Sequence, residues 1–431
     1  MSIRSTLARL PFGMGTVAAV GAVALVVTAG VVLMPGDSVS SDDAAHGVLE
    51  EYMSAPTEQW TLDDTSLPGL TGDGDVAIAD VHRGDWLVSY TAGIRRQYVL
   101  VDANTGSLRW DAPVNAGFGA CAFNTAGQVG CAVRTRTDGP DNGFYLVSDS
   151  GSLERQTDES DTSALVGLAT DFVHVNSTRY QVSRRTIDGE VRWSRTFASA
   201  ATPSYTDGVL VVQNTDGSAQ VLDPLTGDDV LACRTCTVQT YPTGVLVSHD
   251  PLGRASVDFH PVVNGVVDAD SVRTARSQSL VSGPSTLPVL GAAGDQSMET
   301  HGRYQVVDPA TGDALWQVND KELSKVHTRP CGPLVTVARK DRSRVFLSLA
   351  EGTVIGELPP PAFGDPSADI DKLACVGASD DIAVFTDGNQ LTAYRPSTGS
   401  VAWTYPIGGA AYDIDGRIAL QQGSTLTVLA P

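Results

Sequence analysis

One hairpin is written again and again along this chain. The stretches "YVLVDANTGSLRW" (98–110), "YQVSRRTIDGEVRW" (180–193), "YQVVDPATGDALW" (304–316) and "LTAYRPSTGSVAW" (391–403) each read as a strand, a tight turn and a second strand ending in tryptophan. The turn glycines Gly106, Gly151, Gly189, Gly227, Gly265, Gly312, Gly352 and Gly399 follow one another at steps of 45, 38, 38, 38, 47, 40 and 47 residues. A period near forty that holds about four short strands is the mark of propeller blades, not of a helical solenoid. From Trp60 onward, runs of Val, Leu, Ile, Tyr and Thr alternate with Gly, Asp-Gly and Thr-Gly, and no helical period lasts a dozen residues.

The local chemistry explains the turn. In "DPATG" (308–312) and "DPLTG" (223–227) the Asp accepts hydrogen bonds from amides two residues on, Pro presets φ, and Gly takes the left-handed position. The Trp four residues after the glycine recurs as Trp110, Trp193, Trp316 and Trp403. On an outer strand it covers the joint between adjacent units with a large apolar face. A single unit cannot bury both of its faces, and stacking units around an axis does so for all of them.

The ends complete the arrangement. "GRIALQQGSTLTVLAP" finishes the chain with two strands and no turn motif, and "TEQWTLDD" (57–64) carries a Trp with no hairpin before it. The N-terminal strand is therefore expected to complete the last unit and remove an open sheet edge. The expected fold is all-β, one propeller of four-stranded blades over 57–431, with eight blades expected, seven to nine open, and one unit degenerate. Gly265 and Gly352 are the weakest repeat positions, lacking both the Thr before and the Trp after.

Residues 12–34 contain no charge and are long enough to span a bilayer. Arg4 and Arg9 precede them and Asp37, Asp42, Asp43, Glu50 and Glu51 follow. The positive-inside rule then leaves 1–11 in the cytoplasm and the rest outside the cytoplasmic membrane. A cleaved signal peptide is the rival reading, but its only A-x-A match, Ala22 to Ala24, falls inside the apolar run. The polar stretch 35–56 reads as a stalk with a short helix around "AAHGVLEEYM". Six cysteines in an exported chain read as disulfides, expected as Cys121–Cys131, Cys233–Cys236 and Cys331–Cys375.

The pattern D-x-x-T-G-x-x-x-W resembles the repeat of the pyrroloquinoline-quinone-like β-propellers. It is carried by Asp102, Thr105, Gly106 and Trp110 and by Asp308, Thr311, Gly312 and Trp316. Gly189 with Trp193, and Thr398, Gly399 and Trp403 after Arg395, carry it in part; Asp223, Thr226 and Gly227 carry it with Leu231 in the Trp place. The resemblance implies either a quinoprotein dehydrogenase with quinone and calcium in the channel, or a non-catalytic envelope propeller, here of the membrane-anchored type. The dehydrogenases imply two adjacent cysteines against the cofactor, and none are adjacent here; the quinone is a tricarboxylate, and the chain has four lysines.

Other chemistry is weaker. A net charge of −21 excludes nucleic acid as a partner in the absence of any Lys/Arg run. "CRTC" (233–236) follows a strand, so it reads as a structural bridge before a redox pair. His46, His82, His174, His249, His260, His301 and His327 are scattered and read as surface or turn residues, giving no metal site. "TGDGDVAIAD" (71–80) and "DIDG" (413–416) read as hairpin turns before calcium loops. No G-x-S-x-G elbow is present and no catalytic residue is assigned. The expected function is a membrane-tethered, non-enzymatic scaffold for cell-envelope proteins without a cofactor, with contacts at loops such as 135–143 and 276–288. The alternatives are a small-molecule or glycan sensor using the channel and, behind it, the quinoprotein enzyme. A plugged channel favours the scaffold.

Overall fold

The computed structural model describes residues 46–135, 139–249, 255–292, 302–323, 328–360 and 373–431. Among these, nine antiparallel sheets of four strands follow one another along the chain, one of them with an extra segment. Numbered in chain order, blades I to VIII cover 76–117, 120–157, 162–196, 201–233, 236–276, 278–319, 329–358 and 374–406. Blade IX takes its first three strands from 410–430 and its fourth from Thr57–Leu62.

Nine blades replace the expected eight. Each of the eight turn glycines belongs to its own blade, and the ninth is assembled from the two chain ends, where no such turn exists to be counted. Closure follows the expected route: Thr57–Leu62 pairs antiparallel with Thr425–Ala430, Thr57 facing Ala430 and Leu62 facing Leu426. The irregular unit is blade V. Its third strand, Ser256–Val263, pairs with two short segments, Val266–Val267 and Arg273–Arg276, in place of one outer strand. Gly265 is the tip of that longer hairpin, whereas Gly352 closes an ordinary repeat turn through its N–H to Ser348 O.

Alternation along each strand sends apolar side chains to both faces of every blade, so the core lies between blades. Trp60, Leu62 and Val428 of blade IX pack with Val88, Val99 and Val101 of blade I. Trp193 and Phe197 of blade III pack with Leu210, Val212 and Leu222 of blade IV. The cysteines pair as Cys121–Cys131 across the first two strands of blade II, Cys233–Cys236 between blades IV and V, and Cys331–Cys375 between blades VII and VIII.

The repeated turn is built from its named residues. Asp102 Oδ1 accepts from the Asn104 and Thr105 amides, Asp308 Oδ1 from those of Ala310 and Thr311, and Asp223 Oδ1 from that of Leu225. The hydroxyls of Thr226 and Thr311 accept from the amides two residues on, and those of Thr105 and Thr398 pair with Ser107 and Ser400. Gly106, Gly227, Gly312 and Gly399 donate their N–H back to residues 102, 223, 308 and 395.

Five of the six tryptophans seal joints. An indole on, or for Trp110 just before, the outer strand of one blade lies on the turn glycine of the next: Trp60 on Gly106, Trp110 on Gly151, Trp193 on Gly227 and Trp316 on Gly352. The Nε1–H groups of Trp60, Trp193 and Trp316 donate to Ala103 O, Pro224 O and Leu349 O at 2.8, 3.0 and 2.7 Å. Trp403 donates to Tyr52 O at 2.7 Å, because blade IX has no such turn. Gly227 is held at φ +77°, and a Cβ there would lie 2.6 Å from the Trp193 ring. Gly189 lies against Thr157 instead, and Gly312 against Phe259.

Trp193→Ala is expected to lower unfolding free energy by about 3–5 kcal/mol, and Gly227→Ala by at least about 1 kcal/mol. The double variant should lose less than the two together, measured by denaturant titration. Full additivity would show that the indole does not rest on the glycine.

Candidate functional site

The first and second strands of every blade turn at one end of the ring, and a segment before the first strand lies across that end. His46 touches three blades at once. Its Nδ1 is 3.1 Å from Ser285 O in blade VI, its Nε2 is 3.3 Å from Asp207 Oδ1 in blade IV, and its ring stacks 5.5 Å from Tyr241 in blade V. The Asp207 side chain is 1 % exposed, so this contact is buried. Desolvation and the Asp207 charge push the Tyr241 hydroxyl far above its ordinary value.

The strap then crosses blades VII, VIII and IX. Gly47 O accepts from the Ala378 amide at 2.8 Å, Leu49 N–H donates to Ala378 O at 2.9 Å, and Glu50 N–H donates to Gly416 O at 2.8 Å. Gly47 packs against Gly332 and Pro284, an approach that leaves no room for a Cβ. Tyr52 is the anchor. Fully buried between blades VIII and IX, it donates from its hydroxyl to Leu429 O at 2.8 Å and accepts from the Ile418 amide at 3.0 Å, and burial raises its pKa to about 12.

A 3-10 turn at His46 and a turn at Gly47 lead into an extended strap over 48–53 packed on the ring. Of the helix expected around "AAHGVLEEYM", residues 48–53 are not helical and 44–45 lie outside the described residues, and the stretch read as stalk is docked from His46 on. Val48 bridges Ala378 in parallel, so ring backbone replaces the intrachain bonds a helix would supply. The anchor expected at 12–34 lies outside the described residues, as do 35–45; among the described residues no helix is long and apolar enough to cross a membrane.

Beneath the strap, "DIDG" is the tight turn between the first two strands of blade IX, with Ile414 paired to Arg417. Asp413 Oδ1 accepts from the Gly416 amide at 3.0 Å, and Oδ2 has no hydrogen-bond partner. Burial, with the Asp415 charge adding to it, lifts Asp413 to about 8. A second polar cluster lies between blades II and III. Thr162 Oγ1 donates to Glu159 Oε2 at 2.6 Å and lies 3.0 Å from His174 Nδ1, while the His174 ring packs on Phe144. Burial lowers the His174 pKa; burial also opposes ionisation of Glu159, but hydrogen bonds from His174, Thr162 and the Asp161 amide outweigh it and hold the carboxylate near 2.

Sequence reading therefore missed three interior histidines, His46, His174 and His260, which it had placed at the surface. Their isolation in sequence is no guide, because each meets its partners from another strand or blade. His301 and His327 lie outside the described residues. Among the described residues no group of three or more His, Cys, Asp or Glu is placed to hold a metal ion. No bridge joins adjacent cysteines, the feature the quinoprotein dehydrogenases imply.

The loops expected to carry contacts fall at opposite ends. Stretch 276–288 contains the first strand of blade VI and the turn held against His46 and Gly332, so it is covered and not a free loop. Loop 135–143, of which 136–138 lie outside the described residues, joins the second and third strands of blade II at the other end. That end also exposes Ile94, Phe118 and Tyr180, at 75, 42 and 46 %.

A closed ring of four-stranded blades, its joints keyed by indoles and one mouth strapped, defines a β-propeller. Residues 300–429 match the family model described as Outer membrane protein assembly factor BamB. BamB from Moraxella catarrhalis is a similar solved structure, 13% identical, covering 88% of this chain and 98% of its own, with a TM-score of 0.45. The computationally designed Ika8 protein is another, 16% identical over 92% of this chain and 100% of its own, with a TM-score of 0.41. A search of curated protein sequences finds no match.

Two pH effects follow. Asp413 has a raised pKa, so its stabilising contribution is complete below the ordinary 3.8 and is lost as pH rises through about 8. The melting temperature should fall on the alkaline side, and Asp413→Asn should flatten that limb. His174 has a lowered pKa, so stability should fall as pH drops below the ordinary 6.5, and Glu159 should add a further loss between 4.5 and about 2. Melting curves from pH 3 to 9 measure both limbs; an alkaline limb unchanged in Asp413→Asn would remove Asp413 as its cause.

Proposed function

We propose that the protein is a non-enzymatic interaction scaffold of the bacterial cell envelope. In this reading residues 12–34 form an uncleaved membrane helix and the propeller is displayed outside the cytoplasmic membrane, with no cofactor. The observation that carries it is the strapped mouth. Residues 46–52 lie across turns of blades IV to IX at one end of the ring, while the opposite end presents Ile94, Phe118 and Tyr180 to solvent. Exposed aromatic and large aliphatic groups on a rigid framework are what a protein contact uses. The matched family model, described as an outer membrane assembly factor, supports the same class of role. The charge of −21 suits a protein partner with a basic or neutral face.

The test is crosslinking of the tagged full-length protein in its host, with mass spectrometry of captured proteins. A recurrent envelope protein should be captured and then lost, by at least tenfold, in the Ile94→Asp, Tyr180→Asp double variant. Both sites are exposed, so the melting temperature should hardly move. A ring that captures nothing above a bare-anchor control would falsify the scaffold reading. Alkaline phosphatase fused after residue 431 should be active in cells; an inactive fusion would remove the extracytoplasmic placement.

A further inference from the structure

The joint between blades IV and V departs from those keyed by tryptophan. Leu231 stands four residues after Gly227, where Trp110, Trp193, Trp316 and Trp403 stand in their own repeats. The facing turn is replaced as well. Elsewhere Asp102, Ser148, Asp223, Asp308 and Ser348 open a short turn, but here the closing bond runs from Asp268 N–H to Pro261 O, enclosing a longer hairpin. Gly265 at its tip has open space around it, with no indole upon it.

At the tryptophan-keyed joints an indole fills this position; here there is a cavity of about 290 Å³. That is roughly twice the 150 Å³ of an apolar cavity known to bind benzene. Its walls include Val221 and Leu231 from blade IV and Val238, Val247 and Val272 from blade V, with Cys233 of the Cys233–Cys236 bridge beside them. The residue preceding the turn is Val101, Val147, Leu222, Val307 and Leu347 in the regular blades; here it is His260. His260 is 7 % exposed, lines the cavity, and its Nδ1 has no hydrogen-bond partner. Burial lowers its pKa, which keeps the ring neutral and able to accept.

Asp258 supplies charge on the same wall. Thr274 Oγ1 donates to its Oδ1 at 2.6 Å and His249 Nε2 lies 3.2 Å from its Oδ2, which leaves acceptor capacity on both oxygens. Among the described residues lining the cavity there is no Lys or Arg. An apolar slot sized for a fused aromatic ring therefore ends in a carboxylate and an imidazole lone pair. We propose that the joint between blades IV and V binds an arylalkylammonium: the ring takes the absent indole's place and the ammonium donates to Asp258 and His260. A carboxylate at the same end would face the like charge of Asp258. The site is independent of the exposed end that the scaffold reading uses.

The experiment is isothermal titration of purified full-length protein with tryptamine, indole-3-propionate and tryptophol. Tryptamine should bind 1:1, with affinity at least tenfold above the neutral alcohol and with no heat from the acid. Leu231→Trp, which restores the residue of the other repeats, should abolish binding and raise the melting temperature. His260→Leu, which copies blades IV and VII, should fold and bind at least tenfold more weakly, and serves as the probe if Leu231→Trp does not fold. No heat from tryptamine, equal affinity for the acid, or unchanged binding in His260→Leu would each overturn the proposal.

Discussion

The strand Thr57–Leu62 has no partner near it in sequence, and it finds one more than 360 residues away in Thr425–Ala430. Until that pairing forms, blade IX presents an open edge and Trp60 cannot reach Gly106 of blade I. With it, every blade has two neighbours. Such closure is entropically slow and pays only when the rest of the ring is largely in place. The shared blade therefore links the stability of the first joint to that of the last.

Between blades the recurring device is an indole laid on a glycine in the left-handed conformation. The glycine admits the ring, and where the Nε1–H reaches a turn carbonyl it fixes the rotation of one blade against the next. Joints that depart from it do so by different means. Phe259 covers Gly312, and beside it Arg273 pairs with Asp313; at Gly356 the backbone of blade VII approaches Pro396 O with no side chain between. At the joint of blades IV and V nothing replaces the indole fully, and the deficit is a cavity with polar groups at one end. A repeat is most informative where one copy breaks it, because the regular copies show what was removed.

The strap has the opposite logic. It adds no blade, yet it joins blades IV to IX at one end through His46, Gly47, Leu49, Glu50 and Tyr52. The His46–Asp207 contact is buried, so removing one partner would leave the other's polar group without its bond in a site closed to water. One end of the ring is thus covered and the other is left for contacts.

The blades, the turn glycines, the joint tryptophans and the closing N-terminal strand were legible in the sequence, because each rests on local rules: period-two alternation, Asp and Gly in tight turns, and a Trp at constant spacing. Those rules act over a few residues, so they survive without knowledge of the ring. The number of blades was ambiguous: eight marker glycines plus the unit shared by the ends count to nine, but eight was expected because ordinary propellers run to about eight blades. The docked strap, the buried histidines and the cavity at Leu231 were not legible. His46 looks like any polar residue in a linker until Asp207, Tyr241 and Ser285 are brought to it from three blades. The Leu in a Trp place was visible at once, but whether its neighbours would close the gap depended on the hairpin at 261–268 and on His260. What sequence determined was the repeating unit; tertiary structure decided what lies between the units, because burial and charge pairing there depend on residues scores of positions apart.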